Sequence, residues 1–169
     1  MRKHLVLCLV GLALLGGCKN AKREGKTARR PGKPTVISVE RDDEEMNGAM
    51  QKARQTVGEF IEHLANPKPS EERFSVKAKF AEGDDVEHMW LGEVRYDGTM
   101  FHGTVANTPL HLKNVKLGDR HSLRAEEISD WMIIDGSRLV GGYTIRVLFN
   151  RMPPEEKKQA EEECGFVID

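Results

Sequence analysis

The hydrophobic positions change their spacing from one region of the chain to the next. Beyond residue 43 they recur at three- and four-residue steps, the spacing of one face of an amphipathic helix. Asp42 and Asp43 precede this run as capping residues, and Asn66-Pro67 ends it, because a residue before proline avoids helical geometry. The pattern predicts one N-terminal helix packed on a sheet. Its apolar positions are Met46, Ala49, Met50, Ala53, Val57, Phe60, Ile61 and Leu64.

The spacing changes to two beyond residue 73, which is typical of half-buried strands. Apolar residues from Phe74 to Phe80 alternate there with Ser75, Lys77 and Lys79. Asp97-Gly98 is a strong hairpin signal. Further strands are expected over residues 86–94, 100–106, 110–115, 128–134 and 138–141.

The C-terminal pattern is mixed. Residues 143–149 are β-branched enough for a strand, but they also fit a short helix. Pro153-Pro154 opens a final helix that runs to about Glu163, because proline and acidic residues favour a first turn. The fold class is therefore α+β, with an N-terminal amphipathic helix packed on a mainly antiparallel sheet and a short C-terminal helix. Residues 45–169 form this single domain.

The first seventeen residues have the organisation of an export signal. A basic start at Arg2 and Lys3 precedes an apolar run over residues 5–15, and Gly16-Gly17-Cys18 follows. This ending resembles the lipobox of bacterial lipoproteins, in which Cys18 becomes the lipidated first residue after residues 1–17 are removed. A plain secretory signal or an uncleaved anchor helix is the alternative, although the apolar run is shorter than a membrane span of roughly 20 residues.

The lipobox resemblance implies a location as well as a modification. Fatty acyl chains on Cys18 would anchor the protein to a membrane, and stable attachment needs at least two of them. Lys19 stands where inner-membrane retention usually has Asp, so the resemblance implies the outer membrane, facing the periplasm. The expected localisation is the bacterial cell envelope.

Charge is divided unevenly along the chain. Residues 19–34 carry seven basic residues and one acidic residue, a net charge of +6, whereas residues 35–169 carry a net charge of −9. The basic stretch has no apolar periodicity, so residues 18–44 are predicted to be a disordered tether that follows the lipidated cysteine. The acidic domain and the predicted compartment exclude nucleic acid as a partner.

The histidines and cysteines do not form a metal or disulfide pattern. Among the histidines no pair has zinc-ligand spacing, and His88 and His102 are the two expected to face each other across the Asp97-Gly98 hairpin. After loss of Cys8 and lipidation of Cys18, Cys164 is the remaining cysteine. It is interpreted as a small apolar residue covering a helix end, with a reactive or bridging thiol as the alternative. We expect no metal and no cofactor.

Sequence motifs for nucleophilic catalysis are absent. The chain has no G-x-S-x-G sequence and no glycine-rich phosphate loop. Glu87, His88 and Asp130 are the groups that an acid–base hydrolase would use, but a chain rich in carboxylates supplies such groups without being an enzyme. An enzyme is therefore the less favoured hypothesis.

Two segments with tryptophan stand out, Glu87-His88-Met89-Trp90 and Ile128-Ser129-Asp130-Trp131-Met132. A strand tryptophan whose N–H finds a partner usually belongs to the core. An exposed pair of tryptophans beside acidic residues would instead be a recognition patch. The candidate binding face consists of Glu87, His88, Trp90, Asp130, Trp131 and Tyr143.

These segments also carry a family resemblance. Together with Lys113-Asn114-Val115-Lys116-Leu117-Gly118-Asp119, Leu139-Val140-Gly141-Gly142-Tyr143-Thr144 and Arg151-Met152-Pro153-Pro154-Glu155, they resemble the signature of the bacterial domain of unknown function 2314. The resemblance runs from about Met46 to Phe166 and implies a small α+β domain without an established activity. Related small domains are suspected of acting as immunity proteins against toxins.

The favoured hypothesis is a lipid-anchored envelope protein that binds a protein partner through its sheet, or through loops near Trp90, Trp131 and Tyr143. A tether lets a domain search the space near its membrane, which suits a binding module. The domain's acidity favours a basic partner. An envelope hydrolase and an envelope structural protein are the alternatives.

Overall fold

The computed structural model describes residues 43–168, together with the backbone of three short strands before them. These are β1 (His4–Cys8), β2 (Thr27–Ala28) and β3 (Val36–Glu40). The lipidation site Cys18 and most of the predicted tether lie outside the described residues. Signal cleavage and lipidation therefore stay predictions. Within the predicted tether the described residues 27–28 and 36–40 are short strands, and disorder of the other tether residues before Asp43 stays a prediction.

The predicted N-terminal helix is two helices, α1 (Glu44–Gln55) and α2 (Val57–Ala65). Asp43 caps α1 as expected, since its carboxylate accepts the N–H of Met46 at 2.9 Å. The single-helix prediction is wrong at Thr56, where the helix breaks. The indole N–H of Trp131 donates to the carbonyl of Ala53 at 3.1 Å, a carbonyl that an unbroken helix would use itself.

Six antiparallel strands form the sheet of the domain, in the order β7-β6-β5-β4-β8-β9. Consecutive strands pair as hairpins, except that β8 lies beside β4. A short 3₁₀ helix (Ala125–Glu127) precedes β8. The strands are β4 (Glu71–Glu82), β5 (Asp85–Tyr96), β6 (Met100–Val105), β7 (Arg120–Arg124), β8 (Ile128–Asp135) and β9 (Arg138–Gly141).

The Asp97-Gly98 hairpin between β5 and β6 is confirmed. The carboxylate of Asp97 accepts the N–H groups of Thr99 and Met100, each at 2.8 Å, and so closes the turn. The register places His102 opposite Arg95, so the expectation that His88 and His102 face each other is wrong. His102 instead contacts Asp97 and Ser122 with its two ring nitrogens.

The strand expected over residues 110–115 is absent, and this segment is a loop between β6 and β7. Its backbone N–H groups at Leu110, His111 and Leu112 donate to the side chain of Glu87. Because a carboxylate takes these donors, they are not available to a neighbouring strand. The sequence pattern alone did not contain this long-range contact.

Two helices follow the sheet. Residues 143–149, which were ambiguous, belong to α3 (Tyr143–Asn150), and the expected final helix is α4 (Pro154–Cys164). Gly165 ends α4 in the left-handed conformation at φ 71°, a common helix C-cap. The α+β class, with helices before and after an antiparallel sheet in the chain, is therefore confirmed. Among the described residues, no helix has the length and apolar composition needed to cross a membrane.

The helices pack on the sheet through two hydrophobic core clusters. Met46 and Met50 of α1 share a core cluster with Trp90 and Ile145, while Phe60 of α2 shares the other cluster with Trp131. Lys77, a polar position of the strand predicted to be half-buried, has a fully buried side chain.

Candidate functional site

Asp130 of β8 is fully buried and caps α3 from a neighbouring strand. Its Oδ1 accepts the N–H groups of Trp131 at 2.9 Å and Tyr143 at 3.1 Å. Its Oδ2 accepts the N–H of Thr144 at 2.8 Å and the hydroxyl of Thr144 at 2.5 Å. Burial raises the pKa of Asp130, although the positive charge of Lys77 and these hydrogen bonds act in the opposite direction. The carboxylate therefore has a structural role at the start of α3.

Lys77 completes this buried network from β4. In the sheet it lies opposite both Trp90 and Asp130. Its ammonium donates to the hydroxyl of Thr144 at 2.7 Å and lies 4.4 Å from the centroid of the Trp90 ring. Lys77 was missing from the predicted site. A sequence signal that could have found it is the presence of a lysine in one predicted strand and an aspartate in another, since β4 and β8 place Lys77 opposite Asp130.

Glu87 is engaged in a different structural role. Its side chain is almost fully buried and accepts the N–H groups of Leu110, His111 and Leu112, at 2.8, 2.5 and 3.1 Å respectively. Three convergent amides form a nest that suits a carboxylate. Glu87 therefore fastens the loop between β6 and β7 onto β5.

His88 is the next residue on β5 and points to the opposite face of the sheet from Glu87. It is 5% exposed, and its Nδ1 has no hydrogen-bond partner. Burial lowers the pKa of His88 to about 3, helped by the positive charges of Lys77, Lys79 and Arg54. The structure therefore does not bring Glu87, His88 and Asp130 together in the pocket that an acid–base hydrolase needs.

Both tryptophans belong to the core, each with 1% of its surface exposed. Trp131 packs edge-to-face against Tyr143 with ring centroids 5.8 Å apart. Of the candidate binding face, Glu87, His88, Trp90, Asp130 and Trp131 are buried, so the six residues do not form an exposed recognition patch. The reason is that α1, α2 and α3 cover the tryptophan-bearing strands. Tyr143, which is half-buried, lines an open groove of about 480 Å³ beside Arg138 and Arg146.

A different feature near Trp90 is available for contact. β4 pairs with one side of β5 over residues 85–91, but β6 covers the other side only from Leu91 onward. We call the side of residues 85–89 that β6 leaves unpaired the β5 edge. Within residues 43–168 no strand pairs with it. The strand β1 does so in parallel, with Val6 opposite Glu87 and Leu7 opposite His88.

Asn107 marks the end of the β5 edge. Its Oδ1 accepts the N–H of Trp90 at 2.8 Å, and the carbonyl of Trp90 accepts the N–H of Ala106 at 2.8 Å. Because the direction of backbone groups alternates along a strand, the N–H and C=O groups of Val86 and His88 point outward as those of Trp90 do. The Nδ2 of Asn107 is buried without a hydrogen-bond partner.

The described histidines and Cys164 do not form a metal-binding or reactive site. Within the described part of the chain, no three potential metal-ligating side chains gather in one place. Cys164 is half-buried at the end of α4 against the apolar core. Burial raises the pKa of its thiol to about 11, which agrees with its interpretation as a covering residue.

Comparison with known proteins identifies the family. The model of an uncharacterised protein family conserved in bacteria (DUF2314) matches residues 43–168. The chain belongs to this family. The matched range coincides with the described domain, from the helix cap at Asp43 to the end of the structure.

Two relatives show how far the similarity extends. The chain is 37% identical over 122 residues to the uncharacterised protein YegJ of Escherichia coli (strain K12), covering 72% of this chain and 78% of YegJ. It is 30% identical over 147 residues to a putative ankyrin repeat protein of Neisseria meningitidis serogroup B, covering 80% of this chain. It spans 56% of that second relative. No solved structure matches the chain.

Proposed function

We propose that this protein is a lipid-anchored module of the bacterial envelope that binds a polypeptide partner by strand addition at the β5 edge. The observation that carries the proposal is the side of residues 85–89 beside the buried Trp90, with which no strand of residues 43–168 pairs and on which β1 lies. Strand addition obtains affinity from main-chain hydrogen bonds and therefore needs such an edge.

The β5 edge has the groups that an added strand requires. Val86 and His88 direct their N–H and C=O groups outward, and no proline interrupts residues 85–89. The pairing of β1 with Glu87 and His88 supports the proposal, because it shows that an extended backbone fits at this position.

The neighbouring side chains hold this edge in shape. Glu87 fastens the loop at residues 110–112. Lys77 and Asp130 lie opposite each other on β4 and β8, the next two strands of the sheet on the other side of β5. A rigid strand with fixed outward groups loses little conformational entropy when another strand is added. The buried polar residues therefore contribute by positioning the edge and not by chemistry.

The net charge of −9 over residues 35–169 favours a basic partner. Attraction between exposed charges is screened by salt, so the association rate should fall as ionic strength rises. An immunity role, in which the partner is a toxin, is one form of this function.

The test places a photo-crosslinking amino acid at the exposed Asp85 of the lipidated protein in its native envelope. A single crosslinked partner that is absent when the probe is moved to the exposed Lys158 of α4 would locate binding at the β5 edge. Val86→Pro removes an outward N–H donor, whereas Val86→Ala also replaces the valine side chain but keeps the donor. We expect the crosslink to disappear in Val86→Pro and to persist in Val86→Ala.

Thermal unfolding of both variants checks that each is folded. Equal crosslinking in the two variants, or equal crosslinking from Asp85 and Lys158, would contradict strand addition. The anchor has a separate test. Cys18→Ser should abolish labelling by radioactive palmitate and leave the unprocessed precursor, and normal processing of that variant would refute lipidation.

A further inference from the structure

We infer that, once residues 1–17 are removed, the chain's own segment Val36–Glu40 moves onto the β5 edge, and that a partner strand must displace it. This inference deepens the proposed function by naming how the same edge is regulated. It also rests on the predicted signal cleavage.

The order of the strands places Val36–Glu40 next in line for the edge. β1 lies between β3 and β5 and pairs with both of them. β1 is part of the segment predicted to be removed on export. Its loss leaves β3 two strand positions from β5, so β3 has to move by one position, about 4.8 Å, to pair with it.

The directions of the strands favour this move. β3 is antiparallel to β1 and β1 is parallel to β5, so β3 already runs antiparallel to β5. The present β1–β5 pairing is parallel, whereas the six strands of the domain pair in antiparallel fashion. Antiparallel pairs are slightly more stable per residue, so the exchange replaces a short parallel pairing with a more favourable one.

The registers specify which residues meet. Leu7 pairs with Ile37 in β3 and with His88 in β5, so a sideways move brings Ile37 opposite His88. The same register brings Val39 opposite Val86. These are the two β5 residues with outward N–H and C=O groups. Glu40 would fall opposite Asp85, and like charges in that position limit the pairing to residues 36–39.

The chain connection keeps the segment close. Only two residues separate Glu40 from Asp43, the cap of α1. Since each residue spans at most about 3.6 Å, the segment cannot move far from the domain. Val36, Ile37 and Val39 are β-branched, which suits a strand. The segment therefore competes with any partner at a high effective concentration.

The experiment measures backbone amide hydrogen exchange by NMR on the processed protein, with its mass confirming removal of residues 1–17. We expect the amides of Val86 and His88 to be protected. Ile37→Pro removes the donor that would face His88 and should raise both exchange rates by about tenfold or more. Ser38→Pro is the matched control, because the N–H of Ser38 would face away from β5, and it should leave both rates unchanged. The amide of Trp90, bound by Asn107, is the internal reference.

Rapid exchange at Val86 and His88 in the processed wild type would overturn the inference. Slow exchange that persists in Ile37→Pro would also overturn it, because the protection would then come from elsewhere. Partner crosslinking from Asp85 separates this result from the proposed function. If Ile37→Pro exposes the edge without increasing crosslinking, the proposed function fails while the strand exchange stands.

Discussion

Asp130 and Thr144 are joined by two hydrogen bonds, in which the backbone N–H and the hydroxyl of Thr144 both donate to Oδ2 of Asp130. The pair ties β8 to the first turn of α3. Lys77 donates to the same hydroxyl, and all three side chains are fully buried. Because water cannot replace a lost partner at this position, the network tolerates little change.

Asp130→Asn should strongly destabilise the domain. Asp130 accepts four hydrogen bonds, and the substitution replaces one of its two acceptor oxygens with an NH₂ group. It also leaves the charge of Lys77 buried beside a neutral side chain. Breaking a buried charged pair in this way typically costs about 3–5 kcal/mol. The free energy of unfolding in urea measures the effect.

The matched control for Asp130→Asn is Asp135→Asn on the same strand. Asp135 is partly exposed and lies 3.9 Å from Lys68, so its loss should cost at most about 1 kcal/mol. The double variant Asp130→Asn with Lys77→Met tests the coupling directly. Purely additive effects in the double-mutant cycle would show that Lys77 and Asp130 do not act together.

Glu87→Gln should loosen the loop between β6 and β7 without unfolding the domain. A neutral amide offers the N–H groups of residues 110–112 a single oxygen and turns its own NH₂ toward them. Hydrogen bonds to charged groups contribute about 1.5–3 kcal/mol, so the amides of His111 and Leu112 should exchange much faster. Glu82→Gln, which affects the exposed N–H of Lys113, is the control. Unchanged protection at His111 would argue against the carboxylate as the fastener.

Local features of this fold followed from the sequence because their causes lie within a few residues. Asp43 accepts the N–H of Met46, three residues away, and Asp97 closes a turn with Thr99 and Met100. The same locality explains the predicted final helix. The hairpin and cap signals are short-range hydrogen bonds that the residue types themselves specify.

The contacts that define the candidate site are long-range, and the sequence pattern did not contain them. Glu87 binds a loop that lies 23 to 25 residues further on, and Trp131 interrupts a helix 75 residues earlier. The alternating pattern gives Lys77 a polar position on its strand, but in the structure Lys77 is buried and contacts Thr144 of α3. The β5 edge depends on where β6 stops pairing, which is a property of register and not of composition.

His88 should make the domain less stable as the pH falls. Because the pKa of His88 is lowered to about 3 in the folded protein, the unfolded chain binds a proton between pH 6.5 and 3 and the folded protein does not. Stability is therefore lost as pH falls below about 6.5, approaching 1.4 kcal/mol per pH unit. The difference in unfolding free energy between wild type and His88→Gln isolates this contribution. It should be constant above pH 7 and change with that slope at lower pH.

An NMR titration of the His88 ring gives a direct measurement. A ring that gains its proton near pH 6.5 in the folded protein would contradict the burial argument.

Gly141→Ala should destabilise the junction between β9 and α3. Gly141 has a φ of 70°, and a Cβ atom there would lie 2.5 Å from the carbonyl oxygen of Trp131 and 2.6 Å from its ring. The left-handed conformation alone costs about 1–2 kcal/mol for alanine, and the overlap with backbone adds to it. Gly48→Ala in α1 is the matched control, because a Cβ there meets nothing within 4 Å. That change should stabilise the helix by roughly 0.5–1 kcal/mol, so the two alanine variants should shift the thermal midpoint in opposite directions. A Gly141→Ala variant as stable as the wild type would mean that Trp131 and Gly141 do not make the close contact that sets the start of α3.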